Sequence, residues 1–372
     1  MDIKRFGLFL LLSWATMLLF LPSKEDPTET PAQPGTATEV VAQEGGAVGF
    51  VGSDSTSMTS GPAQAEAWSD TFVLGEAGQV GGYEAQFSSL GGTLTELRLS
   101  DYFTTNQAEL DRDDSKYWMP LVKPVLTGAG VRGSLGLQAG PSAKDLVPYD
   151  LEQVHWDHEV LSSAGGAMFE GVRFFHQTES GLLFEKTIQR VPGKHSLRLE
   201  LAVSGTDATI AGRQVSFKLT PALGVPKSSS DQYYNEPRAR ACGLFGGEWE
   251  IDSKQVDPSG DPSFGGFGVG DELVYVGVDN KYFAMLMHPE PGDQLDMNRA
   301  AFRDASWTLI EDLDWAEKNP DEAAQGAFHH TFSQVGLDLS LPPVGKRHTW
   351  AYTLYAGPKE RHEFEAALPS HG

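Results

Sequence analysis

The sequence has little cysteine: Cys242 is the single one among 372 residues. An intramolecular disulfide is therefore excluded, and no covalent cross-link can hold the fold together. The protein must rely on a hydrophobic core, for which 40% hydrophobic and 10% aromatic residues are ample. The cysteine count fits the cytoplasm and an oxidising compartment equally well, so it does not decide the location.

Basic residues are also scarce. Lys and Arg total 28 against 51 Asp and Glu, which gives a formal net charge of −23. A surface this acidic repels phosphate groups, and nucleic-acid binding needs clustered Lys and Arg. The sequence therefore predicts that nucleic acid is not a partner.

Long apolar runs are missing after the N-terminus, where no segment reaches fifteen continuous apolar residues. The exception is the start of the chain, where sixteen uncharged, mostly apolar residues (6–21) follow Lys4 and Arg5. No small-x-small cleavage site follows this run, and basic residues precede it. We predict an uncleaved signal-anchor transmembrane helix at residues 1–23; a cleaved signal peptide and a buried soluble helix are the alternatives.

Residues 24–70 have few aromatic and large apolar side chains. They are rich in Pro, Gly, Ser, Thr, Ala and Glu. Such a segment cannot bury enough apolar surface to offset the entropy lost on ordering. The composition predicts a disordered tether between the anchor and a folded domain at residues 71–372.

The folded part shows the period-two pattern of β-strands. Apolar and polar residues alternate in "LRLELAV" (197–203), "VSFKL" (215–219) and "TWAYTLY" (349–355). This alternation is typical of strands with one buried face, and no βαβ rhythm appears. With 41 glycines and 22 prolines available for turns, the sequence predicts an all-β antiparallel sandwich.

Two stretches have helical features. "GPKERHEFEAAL" places Pro358 just inside a helix start, with Phe364, Ala367 and Leu368 on one face. A second short, acidic helix is predicted within residues 306–327.

Four stretches resemble, in order, the large periplasmic domain of the YidC membrane-protein insertases of Gram-negative bacteria. They are "FSSLGGTLTELRLSDYFT" (87–104), "LLFEKTIQRVPGKHSLRLELAVSG" (182–205), "YVGVDNKYFAMLMHPE" (275–290) and "WAYTLYAGPKERHEF" (350–364). The resemblance covers most of residues 72–368. It implies an antiparallel β-supersandwich with short helices, preceded by one transmembrane helix, in which residues 274–278 and 282–287 form paired strands.

The resemblance also implies a function. The protein would assist the insertion and folding of membrane proteins by binding partners, without being an enzyme. The implied partners are accessory subunits of the Sec translocon or a separate insertase core, nascent membrane proteins, and the membrane through the N-terminal helix. The implied location is the inner membrane, as a single-pass protein with its bulk in the periplasm. The five-helix insertion core of the family is expected to be absent from this chain.

A sugar-binding or aldose-epimerase-like β-sandwich protein is the alternative, because the β-supersandwich is shared with galactose mutarotases. Catalysis would need a carboxylate and at least two convergent histidines. The candidates are His155, His158, His176, His195, His288, His329, His330, Glu185 and Glu200. Their spacing marks no site, so we interpret them as ordinary surface or turn residues. A structural relic without a partner is a third possibility.

No catalytic, cofactor-binding or metal-ligating residue is predicted. His155 and His158 would point to opposite faces of a strand, and "DRDDSK" (111–116) lacks the glycine and glutamate of a calcium loop. "GGFGVG" (265–270) leads into a strand rather than a helix, which argues against a phosphate loop. Cys242 has no histidine partner in its motif and is interpreted as a partly buried small residue.

One aromatic group is left open. Tyr233, Tyr234, Phe245 and Trp249 flank a loop-rich stretch. They would either cap the edge of the sandwich or line a cleft for an extended peptide or a partner.

Overall fold

The structure, a computed structural model, describes residues 67–360 apart from 105–110, 129, 164, 224–236, 246–247, 255–263, 265–271, 319 and 321–328. Strands make up 58% and helices 8% of it. The prediction of a mostly β protein is therefore confirmed.

Nineteen strands and two α-helices are described in these ranges. The strands are β1 (Ser69–Leu74), β2 (Tyr83–Ser88), β3 (Thr93–Phe103), β4 (Trp118–Val122), β5 (Val125–Thr127), β6 (Gly130–Arg132), β7 (Leu137–Ala139), β8 (Asp157–Ser162), β9 (Phe169–Gln177), β10 (Leu183–Arg190), β11 (Ser196–Ser204), β12 (Gln214–Ala222), β13 (Arg238–Phe245), β14 (Glu248–Lys254), β15 (Glu272–Asp279), β16 (Phe283–Pro289), β17 (Phe302–Glu311), β18 (His329–Ser340) and β19 (His348–Pro358). The helices are α1 (Leu295–Ala301) and α2 (Leu313–Lys318), and short 3₁₀ turns lie at Ser115–Tyr117 and Leu151–Gln153.

The strands form one large and two smaller sheets. The large sheet has the order β14-β13-β15-β16-β19-β11-β10-β9-β1-β2-β3-β4, with β8 paired to β9. A second sheet has the order β17-β18-β12-β7, and β5 and β6 form a separate hairpin. Neighbouring strands among the described residues run antiparallel, except for one parallel bridge between Leu74 and Phe169.

The alternation predicted from the sequence is confirmed in the large sheet. Four side chains on one face of β11 are at most 2% exposed: Leu197, Leu199, Leu201 and Val203. β19 lies beside them with Leu199 opposite Tyr352. Because burying a side chain of this size contributes about 1.5–3 kcal/mol, this strand pair stabilises the fold strongly.

The two larger sheets share one hydrophobic core. Phe184 of β10 contacts Phe217 of β12 with ring centroids 5.5 Å apart, and Phe302 of β17 contacts Tyr352 of β19 at 5.7 Å. All four side chains are at most 2% exposed. The core therefore lies between the sheets, as expected of a sandwich.

The strand pair predicted at residues 274–278 and 282–287 is confirmed with shifted bounds. The β15–β16 ladder runs from Val276 opposite Met287 to Asp279 opposite Ala284. Tyr282 is 50% exposed and lies outside the strand. The side-chain oxygen of Asn280 accepts the backbone N–H groups of residues 282 and 283, so the turn ends one residue later than predicted.

The short, acidic helix predicted within residues 306–327 is confirmed as α2, which covers Leu313–Lys318. The residues before it form a strand, since β17 continues to Glu311, with Trp307 and Ile310 buried. β18 supplies an antiparallel partner along the whole of β17. Residues 321–327 lie outside the described residues.

The C-terminal helix cannot begin at Pro358, because this residue is the last of β19 and lies opposite Phe283. The remainder of that predicted helix, residues 361–368, lies outside the described residues.

The predicted transmembrane helix at residues 1–23, and the tether up to residue 66, also lie outside the described residues. Within the part of the chain that the structure does describe, no helix has the length and apolar character needed to cross a membrane. The prediction of a single-pass inner-membrane protein is corrected together with the family resemblance that implied it, as reported below.

Candidate functional site

A groove of about 340 Å³ opens beside the β5–β6 hairpin, and we call it the Glu152 groove. Its walls come from the hairpin, β7, the second 3₁₀ turn and the end of β17. The lining residues are Thr127, Gly128, Arg132, Gln138, Asp150, Glu152, Gln153, Leu309, Ile310 and Glu311. Three carboxylates and one guanidinium are among them, so the lining is polar and acidic.

Glu152 lies at the bottom of the groove and is only 7% exposed. The 3₁₀ turn holds its backbone, since the Asp150 side chain accepts the Glu152 N–H at 3.0 Å. Oε2 of Glu152 accepts hydrogen bonds from Arg132 Nη2 at 2.5 Å and from Gln138 Nε2 at 2.9 Å. Oε1 is buried and makes no hydrogen bond in the structure. The carboxylate is thus fixed on one side and unsatisfied on the other.

Two glycines make room for Glu152. A Cβ at Gly136 would lie 2.3 Å from Glu152 Oε1, and one at Gly91 would lie 3.0 Å from the Glu152 Cα. Gly91 also has a positive φ of 67°, which side-chain-bearing residues rarely adopt. A larger residue at Gly136 would displace the carboxylate, and one at Gly91 would press on the backbone of Glu152.

Lys186 lies beneath the groove with no exposed surface. Its Nζ donates to the carbonyl oxygens of Gly91 at 2.8 Å and Leu135 at 2.7 Å, and it lies 4.8 Å from the centre of the Trp156 ring. Burial lowers the pKa of Lys186 to about 7, while the charge of Glu152 acts in the opposite direction. This amine ties together the two backbone segments that pack around Glu152.

Leu135 shows backbone strain at the same place. Its φ is 65°, in the left-handed region that a leucine avoids, and its side chain is completely buried. A conformation of this kind costs ~1–3 kcal/mol and persists where the surroundings enforce it. Here the carbonyl is directed at Lys186 Nζ. Such outliers are concentrated at functional sites, so the strain at Leu135 favours a functional role for the residues around the groove.

A second compartment of about 390 Å³ adjoins the Glu152 groove, and we call it the Tyr149 compartment. It is lined by Gln138, Ala139, Lys144, Val147, Pro148, Tyr149 and Asp150. Tyr149 Oη and His176 Nε2 lie 2.9 Å apart, and their rings meet edge to face. Burial lowers the pKa of His176, which favours its neutral form.

The groove has the chemistry of a hydrogen-bonding site for a neutral ligand. Its amides, carboxylates and guanidinium offer donors and acceptors with fixed directions. An anionic ligand would meet an excess of carboxylates. No group of three or more His, Cys, Asp or Glu able to hold a metal ion exists within the described residues.

The structure scatters the histidines and glutamates considered from the sequence. His176 reaches the Tyr149 compartment through its hydrogen bond to Tyr149. Other partners are Ser89 for His155 (2.7 Å), Trp68 for His158 (stacked, 3.8 Å), Asp101 for His195 (2.9 Å), Arg347 for Glu185 (3.0 Å) and Arg198 for Glu200 (2.7 Å). His155 and His158 thus have different partners. His288 is buried, and the backbones of His329 and His330 pair with Glu311 and Ile310.

The other motifs do not contribute to the groove or lie outside the described residues. Cys242 is 4% exposed in β13, as predicted, and burial raises its pKa to about 11. Tyr233, Tyr234 and the segment at 265–270 lie outside the described residues, as do the side chains of Phe245 and Trp249.

Sequence reasoning missed Arg132, Gln138 and Glu152. One signal was available, because period two places Lys186 on the same strand face as Phe184 and Ile188, both completely buried. A lysine at a core position needs polar partners, which predicts a buried polar layer nearby. Which residues supply that layer depends on chain segments far apart in the sequence.

No protein-family model matches the chain, and no curated protein matches it either. Solved structures that it resembles include an aldose epimerase homologue from C. elegans, with 10% identity, a TM-score of 0.38 and coverage of 78% of this chain and 99% of that one. Another is a galactose mutarotase related enzyme from Lactobacillus acidophilus, with 7% identity, a TM-score of 0.38 and coverage of 77% and 97%. A third is a galactose 1-epimerase from the same species, with 8% identity, a TM-score of 0.34 and coverage of 79% and 99%. These likenesses carry no activity over to this chain.

The comparison corrects two predictions. The identification as a YidC-type insertase domain, and with it the function in membrane-protein insertion and transport, is wrong, because the neighbours found are epimerase- and mutarotase-like proteins. The prediction that the protein is not an enzyme rested on that identification and is corrected with it. The Sec accessory subunits, insertase core and nascent chains implied as partners stay untested predictions.

Proposed function

We propose that this protein binds a carbohydrate in the Glu152 groove. The observation that carries the proposal is the buried Glu152 carboxylate, which has one oxygen fixed by Arg132 and Gln138 and the other without a hydrogen-bond partner among the described residues. An unsatisfied buried acceptor costs about 1–3 kcal/mol, so it is retained where it serves a purpose. Hydrogen bonding to a ligand hydroxyl is such a purpose.

The lining supports a polyhydroxylated, uncharged ligand. A sugar hydroxyl both donates and accepts a hydrogen bond. The groove offers amide groups at Gln138 and Gln153, which donate and accept, and carboxylates at Asp150 and Glu311, which accept. Arg132 is already paired with Glu152, so its charge gives little attraction for an anion. Neutral sugars are therefore favoured over phosphorylated or acidic ones.

A second candidate function is 1-epimerisation of an aldose, with Glu152 as general base. Arg132 holds the carboxylate of Glu152 in place, and a positioned carboxylate is one of the groups that can act as a general base. In this reaction Glu152 would take the proton of the anomeric hydroxyl, the bond between C1 and the ring oxygen would break, and a second group would protonate that oxygen. No histidine lines either compartment among the described residues, so the acid remains unassigned and binding is the first candidate.

The binding domain is proposed to be an antiparallel β-supersandwich corresponding to residues 71–372. The two sheets packed around one core support this architecture. The division of the first seventy residues at position 23 stays a prediction.

Saturation-transfer NMR and calorimetry with a panel of neutral hexoses test the proposal. We expect binding by the full-length chain and a loss of roughly tenfold to a hundredfold in affinity for Glu152→Gln, because hydrogen bonds to a charged group contribute about 1.5–3 kcal/mol. Asp279→Asn is the matched control, since it makes the same change at a buried carboxylate outside both compartments. Polarimetry of the same sugars reports catalysis. Unchanged affinity in Glu152→Gln, or no binding of any hexose, would contradict the proposal.

A further inference from the structure

We propose that the ligand of this protein is an oligosaccharide of at least two sugar units, with one unit in the Glu152 groove and the next in the Tyr149 compartment. This inference rests on the proposed function. It adds a second binding subsite and the substrate class.

The two compartments are continuous in their lining. Gln138 and Asp150 belong to both. Both residues are also hydrogen-bonded to Glu152. The side-chain amide of Gln138 donates to Glu152 Oε2, and the side-chain oxygen of Asp150 accepts the Glu152 backbone N–H. The junction is therefore held in place by the residue at the bottom of the first compartment. A ligand that passes over it meets polar groups on a fixed frame.

The volumes also support two units. The compartments measure about 340 and 390 Å³, and each lies near the lower end of the ~300–1,000 Å³ typical of small-molecule sites. A single sugar in one compartment would leave the other unfilled. Together they provide space for a longer ligand.

The lining of the Tyr149 compartment suits a sugar ring, which has apolar faces and a polar rim. Val147, Pro148 and Tyr149 give it an apolar wall, while Gln138 and Lys144 supply polar groups. A pyranose ring has apolar C–H faces and a polar rim, and C–H groups pack on the negative face of an aromatic ring. The Glu152 groove, in contrast, contains no aromatic residue in its described lining. The two compartments thus differ in kind, with a polar one and an aromatic one.

Tyr149 is fixed before a ligand arrives. Its hydroxyl lies 2.9 Å from His176 Nε2, and its ring meets the His176 ring edge to face, 5.7 Å between centroids. His176 is itself placed by Trp156, whose ring centroid is 5.5 Å away. A side chain held in this way loses little conformational entropy on binding. It is suited to act as a positioned platform rather than a mobile surface group.

The test compares a neutral hexose with disaccharides and trisaccharides of the same sugar on the full-length chain. We expect the disaccharide to bind roughly three- to tenfold more tightly than the monosaccharide, which is the size of an aromatic stacking contribution. Tyr149→Ala should remove that gain, so that disaccharide affinity falls further than monosaccharide affinity and the ratio of the two approaches one. Tyr149→Phe keeps the ring and should keep most of the gain. Tyr282→Ala, at an exposed tyrosine outside both compartments, is the matched control and should change neither affinity.

The outcomes separate this inference from the proposed function. Monosaccharide binding that depends on Glu152, with no gain for the disaccharide or with an equal loss for both ligands in Tyr149→Ala, overturns the second subsite and leaves the proposed function intact. Absence of binding by any sugar overturns both. Thermal unfolding of each variant identifies a folding defect. If Tyr149→Ala does not fold, the affinities of Tyr149→Phe and the disaccharide-to-monosaccharide affinity ratio of the wild type decide whether the second subsite exists.

Discussion

Glu152 and Asp279 are two buried carboxylates with similar immediate surroundings. Their exposed fractions are 7% and 3%. In each, one oxygen contacts a cation and the other oxygen is buried without a hydrogen-bond partner. By burial and by the unpaired oxygen alone, the two residues cannot be distinguished.

The difference lies in what surrounds each pair. Asp279 Oδ2 contacts two cations, Arg240 Nε at 2.6 Å and Lys359 Nζ at 2.8 Å, at the turn of the β15–β16 hairpin. Glu152 contacts one cation and one amide at the bottom of a groove. A buried ion pair is therefore a weak sign of function by itself. The position in a groove, together with the single cation, is what distinguishes Glu152 from Asp279.

The largest expected effect concerns the layer below that groove. Lys186→Met keeps the volume of the side chain but leaves the carbonyls of Gly91 and Leu135 without their donor. Unpaired buried acceptors cost about 1–3 kcal/mol each, partly offset by the removal of a buried amine. We expect the free energy of unfolding in urea to fall by about 2 kcal/mol. Lys194→Met, at an exposed turn, is the control; equal stabilities for the two variants would show that Lys186 is not structural.

A second experiment separates the two carboxylates directly. Asp279→Asn should lower the free energy of unfolding by about 1–2 kcal/mol, because two partly buried cations lose their charged partner. Glu152→Gln should cost less stability, since one cation is affected and Arg132 keeps its position 5.7 Å from the Phe332 ring centre. Sugar affinity should show the reverse order. Parallel losses of stability and affinity in both variants would remove the proposed distinction.

Per pH unit, the smallest expected effect is the change of the free energy of unfolding with pH. Burial lowers the folded-state pKa of Lys186 to about 7 from 10.5, so between these values the unfolded chain binds more protons and stability rises with pH. The slope is at most ~1.4 kcal/mol per pH unit. Measurements should stay below pH 9.0. Above that pH Cys242 has the opposite effect on stability, because burial raises its pKa from 9.0 to about 11. The rise should be absent in Lys186→Met; its persistence there would assign it to another group.

Much of the β architecture was predictable, because the alternation of apolar and polar residues is visible over short stretches of the sequence. The alternation of Leu197, Leu199 and Leu201 predicts a strand with one buried face, and the structure has that strand. The short helix predicted within residues 306–327 is present at Leu313–Lys318, but the strand before it was missed, since residues 302–311 pair with the distant β18. The family identification was also wrong: short strand and turn motifs recur in unrelated β proteins, so their order alone was insufficient.

The candidate site could not be predicted in the same way. Arg132, Gln138 and Glu152 come from a hairpin, a strand and a 3₁₀ turn, and none shows a period or motif in the sequence. The room for Glu152 is left by Gly91 and Gly136, which lie 61 and 16 residues before it in the chain.

The sequence by itself determined an acidic, disulfide-free, mostly β protein with identifiable buried strand faces, because charge, cysteine count and period-two alternation are local properties. Only the tertiary structure decided where polar groups are buried together. Lys186 shows why: its place on an apolar strand face is visible in the sequence, but its partners Gly91 and Leu135 are brought to it by chain segments that the strand does not specify. Long-range packing sets such contacts, and the groove depends on them.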